Sequence, residues 1–463
     1  MIAALCAALS GLAYFASTGL GVIWPLAWLA PAPVLWLAFG EARDRTVAIA
    51  AFSAFAIGNT NLLPAYYDVL PMVPFAIGIV ASGLAFAGCV LAARLVQRRV
   101  SGIAATIAFA ALWTGFEYLG AFGPNGSVAS IAYALAGVPV MAQTASLFGI
   151  WSVTFILCFV PAGLALAQRT RTATPLLLAL LAFAGNAFYG YRHIQDSPKT
   201  MRVALIVSEE MSDAAFAGNE KDAIEAVDAY ASLIGSVAER RPELVVLPER
   251  FTVLKPQWRA LALKKMSGAA KVAGAPVVAG FADVSPAGMR NVALVFHPDG
   301  SAPEIYAKRK LVPGLEDRFT PGSGPLAVRG GIGIEICKDM DFEKMLRADS
   351  SLRPRVLAVP AWDFEEDAYG HARVAIMRGI ENGVAVARSA RRGLLTLTDP
   401  YGRLVNRRAS MGDATMTLVG DLPVGEGAGH TLYDRIGDVF AWAALAIGAA
   451  LLGLAALKRK RAP

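Results

Sequence analysis

The chain reads as a polytopic α-helical membrane bundle joined to a layered α/β domain, and three observations predict this. It is 56% hydrophobic over 463 residues with a mean hydropathy of +0.49, too apolar for an ordinary soluble protein. Charge is spread unevenly: residues 1–190 hold no lysine, seven arginines and four acidic residues, whereas residues 201–424 carry ordinary globular charge. Beyond Met201 the long apolar stretches give way to short β-rich runs alternating with polar helical ones.

Seven apolar stretches of roughly 17 to 25 residues, the length a helix needs to cross hydrocarbon, centre near residues 10, 30, 55, 82, 111, 153 and 182. An eighth runs from Ile436 to Leu457. The expected organisation is a membrane domain at 1–190, a polar domain at 201–424, a last span at 436–457 and a basic tail at 458–463. Basic residues follow the even-numbered spans: Arg43 and Arg45, Arg98 and Arg99, Arg169 and Arg171, then Lys458-Arg-Lys-Arg461. The loops after spans one, three and five, among them 64–71 and 120–138, contain no Lys or Arg. The positive-inside rule then puts both termini in the cytoplasm and the polar domain outside.

On this topology the pI near 9.2 reflects membrane orientation and makes no case for a nucleic-acid partner. No basic residue precedes Glu41, so the first stretch lacks the charged start of a signal peptide and is kept as a span. Glu117 lies deep in span five, where a functional role and internal hydrogen bonding are both open.

Within the polar domain, strands are expected at Arg202–Val207, Glu243–Leu247, Ala275–Ala279, Asn291–Phe296 and Pro303–Tyr306. Helices are expected at Asp222–Arg240 and Trp258–Val272, and Asp299-Gly300 signals a hairpin turn. Strand and helix alternation of this kind predicts stacked α and β layers.

Cys337 is the only cysteine of this domain, since Cys6, Cys89 and Cys158 lie in apolar stretches. A lone cysteine ending the run Gly331-Ile-Gly-Ile-Glu-Ile-Cys337 is either a small buried filler or a nucleophile. Two further polar residues, Glu249 and Lys308, also directly follow apolar runs, and strand ends hold side chains rigidly beside a cleft. A carboxylate can take the proton of a thiol, while an ammonium lowers the thiol pKa and stabilises the oxyanion formed on a carbonyl. Glu, Lys and Cys can therefore run acyl transfer through a thioester without histidine. Four scattered histidines and no paired cysteine spacing imply no metal and no cofactor.

The ordered stretches Leu247-Pro-Glu249, Asn291 to Gly300, Tyr306-Ala-Lys-Arg-Lys-Leu-Val-Pro313 with Glu316, and Ile336-Cys337 resemble the nitrilase, or carbon-nitrogen hydrolase, superfamily. That resemblance implies an αββα sandwich with Glu249 as general base, Lys308 as oxyanion stabiliser, Cys337 as nucleophile and Glu316 as a supporting acid. The amino-terminal spans, the phrases Ile23 to Ala30 and Gln143 to Gly149, Trp362 and His371 after the nucleophile, and Thr398-Asp-Pro-Tyr-Gly-Arg403 extend it. Nearly the whole chain resembles the membrane-bound branch of the superfamily, the apolipoprotein N-acyltransferases of the bacterial inner membrane. The implied partners are a phospholipid acyl donor and a lipid-modified lipoprotein acceptor.

The chain departs from that family's pattern in having Lys338 and Asp339 after the nucleophile, Ala358-Val-Pro-Ala361 before Trp362, and Asn59 to Pro64 after span three. Lys338 either activates Cys337 as a second cation or points away into a salt bridge, and Asp339 stands where the family has a longer acid. His371 is a rival base, ranked below Glu249. A membrane-anchored amidase, whose thioester is resolved by water, is the alternative activity, and a non-catalytic membrane scaffold is the third.

Overall fold

The computed structural model describes residues 1–67, 72–412 and 415–458. They form two compact units: Met1–Ile194 with the chain from Ile436 onward, and Gln195–Arg435.

In the first unit, six helices among the described residues are long and apolar enough to cross a membrane: Asp44–Tyr66, Met72–Arg99, Gly102–Gly120, Ile150–Thr170, Ala173–His193 and Val439–Leu457. The first two expected spans are shorter. Ile2–Ser17 has 16 residues, about 24 Å at 1.5 Å per residue, against a hydrocarbon core of about 30 Å. The second is split into a 3-10 turn, Trp24–Trp28, and a helix, Ala32–Ala38. Pro25, Pro31 and Pro33 explain the break, because each lacks the N–H a continuous helix requires. The last helix starts at Val439 rather than Ile436, after Gly437 at φ 61. Residues 68–71 of the loop after span three, and the tail from Arg459, lie outside the described residues.

The basic residues gather at one end of this unit. Asp44 accepts from Arg94 Nε at 2.7 Å and Arg98 at 3.1 Å. Arg99 donates to the Ala455 carbonyl at 3.1 Å, and Arg169 lies over Trp36 at 5.0 Å. Of these arginines, Arg99 meets the end of the last helix. At the far end of the helix Gly102–Gly120, the Glu117 carboxylate accepts from Trp113 Nε1 (3.0 Å), Ser130 Oγ (2.6 Å), Ile131 N (3.0 Å) and Thr154 Oγ1 (2.7 Å). Four donors satisfy this half-buried carboxylate, so of the two roles open for Glu117 the geometry favours internal hydrogen bonding.

Among the described residues the second unit contains thirteen strands: β1 (Thr200–Ser208), β2 (Leu244–Val246), β3 (Thr252–Leu254), β4 (Val277–Ser285), β5 (Gly288–Phe296), β6 (Glu304–Ala307), β7 (Ala327–Val328), β8 (Ile332–Ile334), β9 (Val356–Trp362), β10 (Ala385–Arg391), β11 (Gly393–Thr398), β12 (Leu404–Ser410) and β13 (Thr415–Pro423). One sheet runs β13-β1-β2-β4-β5-β6, with β3 also on β4; the other runs β12-β11-β10-β9-β8-β7. The hairpin expected at Asp299-Gly300 joins antiparallel β5 and β6, with Gly300 at φ 75 and Ser301 N–H donating to Asp299 at 2.9 Å.

Period-two alternation in β1 builds the layers. Val203, Leu205 and Val207 point into a core shared with Ala385, Ala387, Leu395 and Leu397 of the opposite sheet. Ala204 and Ile206 face the other way, into the cluster formed with the helices Glu220–Val237 and Pro256–Ala273. The helix Ala368–Asn382 packs on β10 and β11. The result is the αββα sandwich, and truncating an inter-sheet residue such as Leu205 to alanine would cost about 2–5 kcal/mol.

Candidate active site

Three chain segments leave the two sheets at neighbouring points. Glu249 lies three residues beyond β2, and its N–H donates to the carbonyl of Ala361 in β9 at 3.3 Å. The approach is close enough that a Cβ at Gly280 of β4 would stand 2.4 Å from the Pro248 carbonyl and 2.7 Å from Glu249 Cα. Lys308 follows β6, with its N–H donated to the Asn291 carbonyl at 2.8 Å. Cys337 lies three residues past β8, opening a 3-10 turn over Cys337–Asp341 instead of ending the strand itself. Its Sγ donates to the Trp362 carbonyl at 3.6 Å. The end of β9 therefore touches both the Glu249 and the Cys337 segments.

Lys308, Glu249 and Glu316 are buried. Lys308 Nζ lies 2.8 Å from Glu249 Oε1 and 2.8 Å from Glu316 Oε2. Burial opposes the charge on Lys308, but the two carboxylates outweigh it and hold its pKa above the ordinary lysine range. Burial would raise Glu316 too, yet Lys308 pulls its carboxyl below the usual value. Asn291 Nδ2 donates to Glu249 Oε1 at 2.6 Å and Glu316 Oε1 at 2.8 Å. Desolvation and the Glu249 carboxylate push the Cys337 thiol well above its ordinary range, with Lys308 opposing them. The resting thiol is thus neutral beside one cation and two carboxylates. Passing its proton to Glu249 leaves the net charge of the group unchanged, which is a condition for an inexpensive step in a buried site.

Cys337 has φ 44, in the left-handed region that a Cβ disfavours. Asp339 holds this turn to the Lys308 loop: Oδ1 accepts from the N–H groups of Arg309 (3.1 Å) and Lys310 (2.8 Å), while Oδ2 accepts from Ile336 N (3.1 Å) and Tyr306 (2.8 Å). Burial pushes its carboxyl up to about 6. Lys338 pairs with Asp341 at 3.7 Å, which is the salt-bridge arrangement of its two open readings.

His371 sits in the first turn of the helix Ala368–Asn382. Burial works against its charge, but Asp367 at 2.8 Å, with Asp363 and Asp341, raises its pKa to about 9. A histidine already protonated at neutral pH is not an available base. Trp362 ends β9 with Arg391 4.0 Å and Arg250 4.8 Å from its ring centroid.

Sequence reasoning missed Asn291 as a site residue, as well as the buried pair Asp363 and Arg388, which meet at 2.9 Å and are both coupled to Cys337. The one available signal for Asn291 was a polar residue opening an otherwise apolar strand.

This fold defines the class: residues 202–425 match the family model described as Carbon-nitrogen hydrolase. Residues 10–163 match a second model, described as Apolipoprotein N-acyltransferase N-terminal domain. Together the two models span both the helical and the polar parts of the chain, and the curated relatives it resembles are apolipoprotein N-acyltransferases. The apolipoprotein N-acyltransferase of Geobacter metallireducens is 27% identical, over 98% of this chain and 95% of that protein. That of Pseudomonas aeruginosa is 25% identical, over 83% of each. An amidase from Nesterenkonia sp. of known structure is 22% identical over 50% of this chain and 92% of that chain, with a TM-score of 0.40.

Proposed function

We propose that this protein is an acyltransferase that moves a phospholipid acyl chain through a Cys337 thioester to the amino-terminal amine of a lipid-modified lipoprotein. The observation that carries the chemistry is Lys308 set 2.8 Å from both Glu249 and Glu316 and electrostatically coupled to Cys337. In the first half-reaction Glu249 takes the thiol proton and the thiolate sulfur attacks the ester carbonyl carbon. Lys308 stabilises the oxyanion; the carbon–oxygen ester bond then breaks, and the lysophospholipid oxygen leaves with the proton from Glu249. In the second, the acceptor amine attacks the thioester, the carbon–sulfur bond breaks and an amide forms, with the amine proton returning through Glu249 to sulfur.

Similarity to named apolipoprotein N-acyltransferases across both the helical and the polar parts supports transfer over the amidase alternative. The helices that can cross a membrane and the bacterial relatives support a multi-pass inner-membrane protein. The basic residues gathered at one end of the helical unit support that end, with both termini, as cytoplasmic, which leaves Gln195–Arg435 on the periplasmic side. Incubation with labelled phospholipid and a diacylated lipopeptide tests the activity. An N-acylated peptide is the expected product; fatty acid or ammonia released without it would overturn the proposal.

A further inference from the structure

Glu335 directly follows β8, two residues before Cys337, and its N–H donates to the Ala358 carbonyl of β9 at 3.2 Å. Its side chain is buried against the phenol of Tyr306, which β6 carries. Tyr306 Oη lies 2.9 Å from Glu335 Oε2 and 2.8 Å from Asp339 Oδ2, and it accepts from Arg309 Nε at 3.0 Å. A phenol has one hydrogen to give. It serves one of the two acids, so the other must bring a hydrogen of its own or set bare oxygen against bare oxygen in a buried place.

Asp339 is the better anion of the two. The backbone N–H groups of Arg309, Lys310 and Ile336 all donate to it, and such donors favour the charged form. Glu335 has the Arg309 guanidinium at 3.0 Å but shares it with Asp349, at the end of the helix Glu343–Asp349, whose Oδ1 lies 3.2 Å from Arg309 Nη1. Lys308 also acts on Asp339, though Glu249 and Glu316 already hold it. Burial and the carboxylates of Asp339 and Asp349 raise the Glu335 carboxyl well above the usual range against the pull of Arg309, whereas Asp339 reaches only about 6. The phenol therefore donates to Asp339 and accepts from both Arg309 and Glu335. A cavity of about 30 Å³ borders Glu335 and Asp349, room for water to carry a proton to and from the carboxyl, with Leu326, Val328, Leu352 and Leu357 among its other walls.

We propose that Glu335 is a positioning residue whose carboxyl keeps its proton in the working enzyme and, by donating it to Tyr306, holds Asp339 and with it the Cys337 turn against the Lys308 loop. This rests on the acyl-transfer reading above, with Cys337 as the acylated group. When the Glu335 O–H bond breaks and the proton passes to water, two buried carboxylates face one phenol oxygen. Their repulsion in a site shielded from solvent pushes the Cys337 turn away from Lys308. Acylation then slows as pH rises, because the raised carboxyl loses its proton only on the alkaline side.

The test uses the full-length protein in detergent micelles, with single-turnover acylation of Cys337 by phosphatidylglycerol followed by intact mass. At neutral pH Glu335→Leu slows acylation at least tenfold, and Glu335→Gln, whose amide donates to Tyr306 as the acid does, restores most of the rate. Raising the pH slows wild type at least tenfold while Glu335→Gln keeps its rate. The infrared spectrum of wild type at neutral pH shows the carbonyl stretch of a protonated carboxylic acid that Glu335→Gln lacks. The proposal is overturned by leucine and glutamine variants of equal rate, by the same alkaline loss in wild type and Glu335→Gln, or by infrared spectra with no such difference. In each of these cases wild type is still acylated, and the acyl-transfer reading stands. Wild type that takes no acyl group overturns that reading, and this role for Glu335 with it.

Discussion

Asn291 Nδ2 lies 2.6 Å from Glu249 Oε1, and the same nitrogen reaches Glu316 at 2.8 Å. One amide thus spans the two acids that also share Lys308, and fixes the carboxylate assigned to take the Cys337 proton. Losing a hydrogen bond to a charged group costs about 1.5–3 kcal/mol. Asn291→Ala should therefore slow single-turnover acylation of Cys337 by about ten- to a hundredfold while leaving cooperative melting in detergent. A rate equal to wild type would remove Asn291 from the site.

With Glu249 proposed as the base and Asp367 raising the His371 pKa, Glu249→Gln should abolish Cys337 acylation while His371→Gln retains it; the reverse result would exchange their roles. The pairing also has a stability signature. The folded pKa of about 9 lies above the ordinary 6.5. Its contribution is therefore fully present below about pH 6.5 and lost as pH rises through about 9. The melting-temperature gap between wild type and His371→Gln should shrink across that window, and a gap that widens would contradict the assignment.

Lys338 faces Asp341 at 3.7 Å. Lys338→Met should accordingly leave the pH profile of Cys337 alkylation where it is in wild type. A profile displaced to higher pH would restore Lys338 as an activating cation.

Arg388 and Asp363 are buried together, with a second guanidinium nitrogen also bonded to the carboxylate. Removing one partner of such a pair leaves an unpaired buried charge and costs about 3–5 kcal/mol. Arg388→Ala should melt well below wild type, and Gly393→Ala should move in the same direction, because its Cβ would lie 2.1 Å from Asp363 Oδ2. Melting temperatures equal to wild type in both variants would show that the pair is dispensable.

Much of this arrangement was legible in the sequence because it is local. Strand periodicity gave β1 and β5, Asp299-Gly300 gave the hairpin, and Glu249, Lys308 and Cys337 were visible as polar residues after apolar runs. What escaped depends on approach between distant segments. Asn291 meets Glu316 twenty-five positions away, and Arg388 meets Asp363 across neighbouring parallel strands. The shortened first helix and the broken second escaped for another reason: hydropathy averages over residues, whereas Pro25, Pro31 and Pro33 act one peptide group at a time.

Cys337 holds its sulfur on a backbone at φ 44, a conformation that costs a residue with a Cβ about 1–2 kcal/mol. Alanine at this position would discard the proposed thiol chemistry and keep the cost, and only glycine would shed both. A descendant released from catalysis would therefore gain stability by drifting to glycine at 337. On the role proposed for Cys337, reactivity of the thiol is what offsets the backbone cost at φ 44.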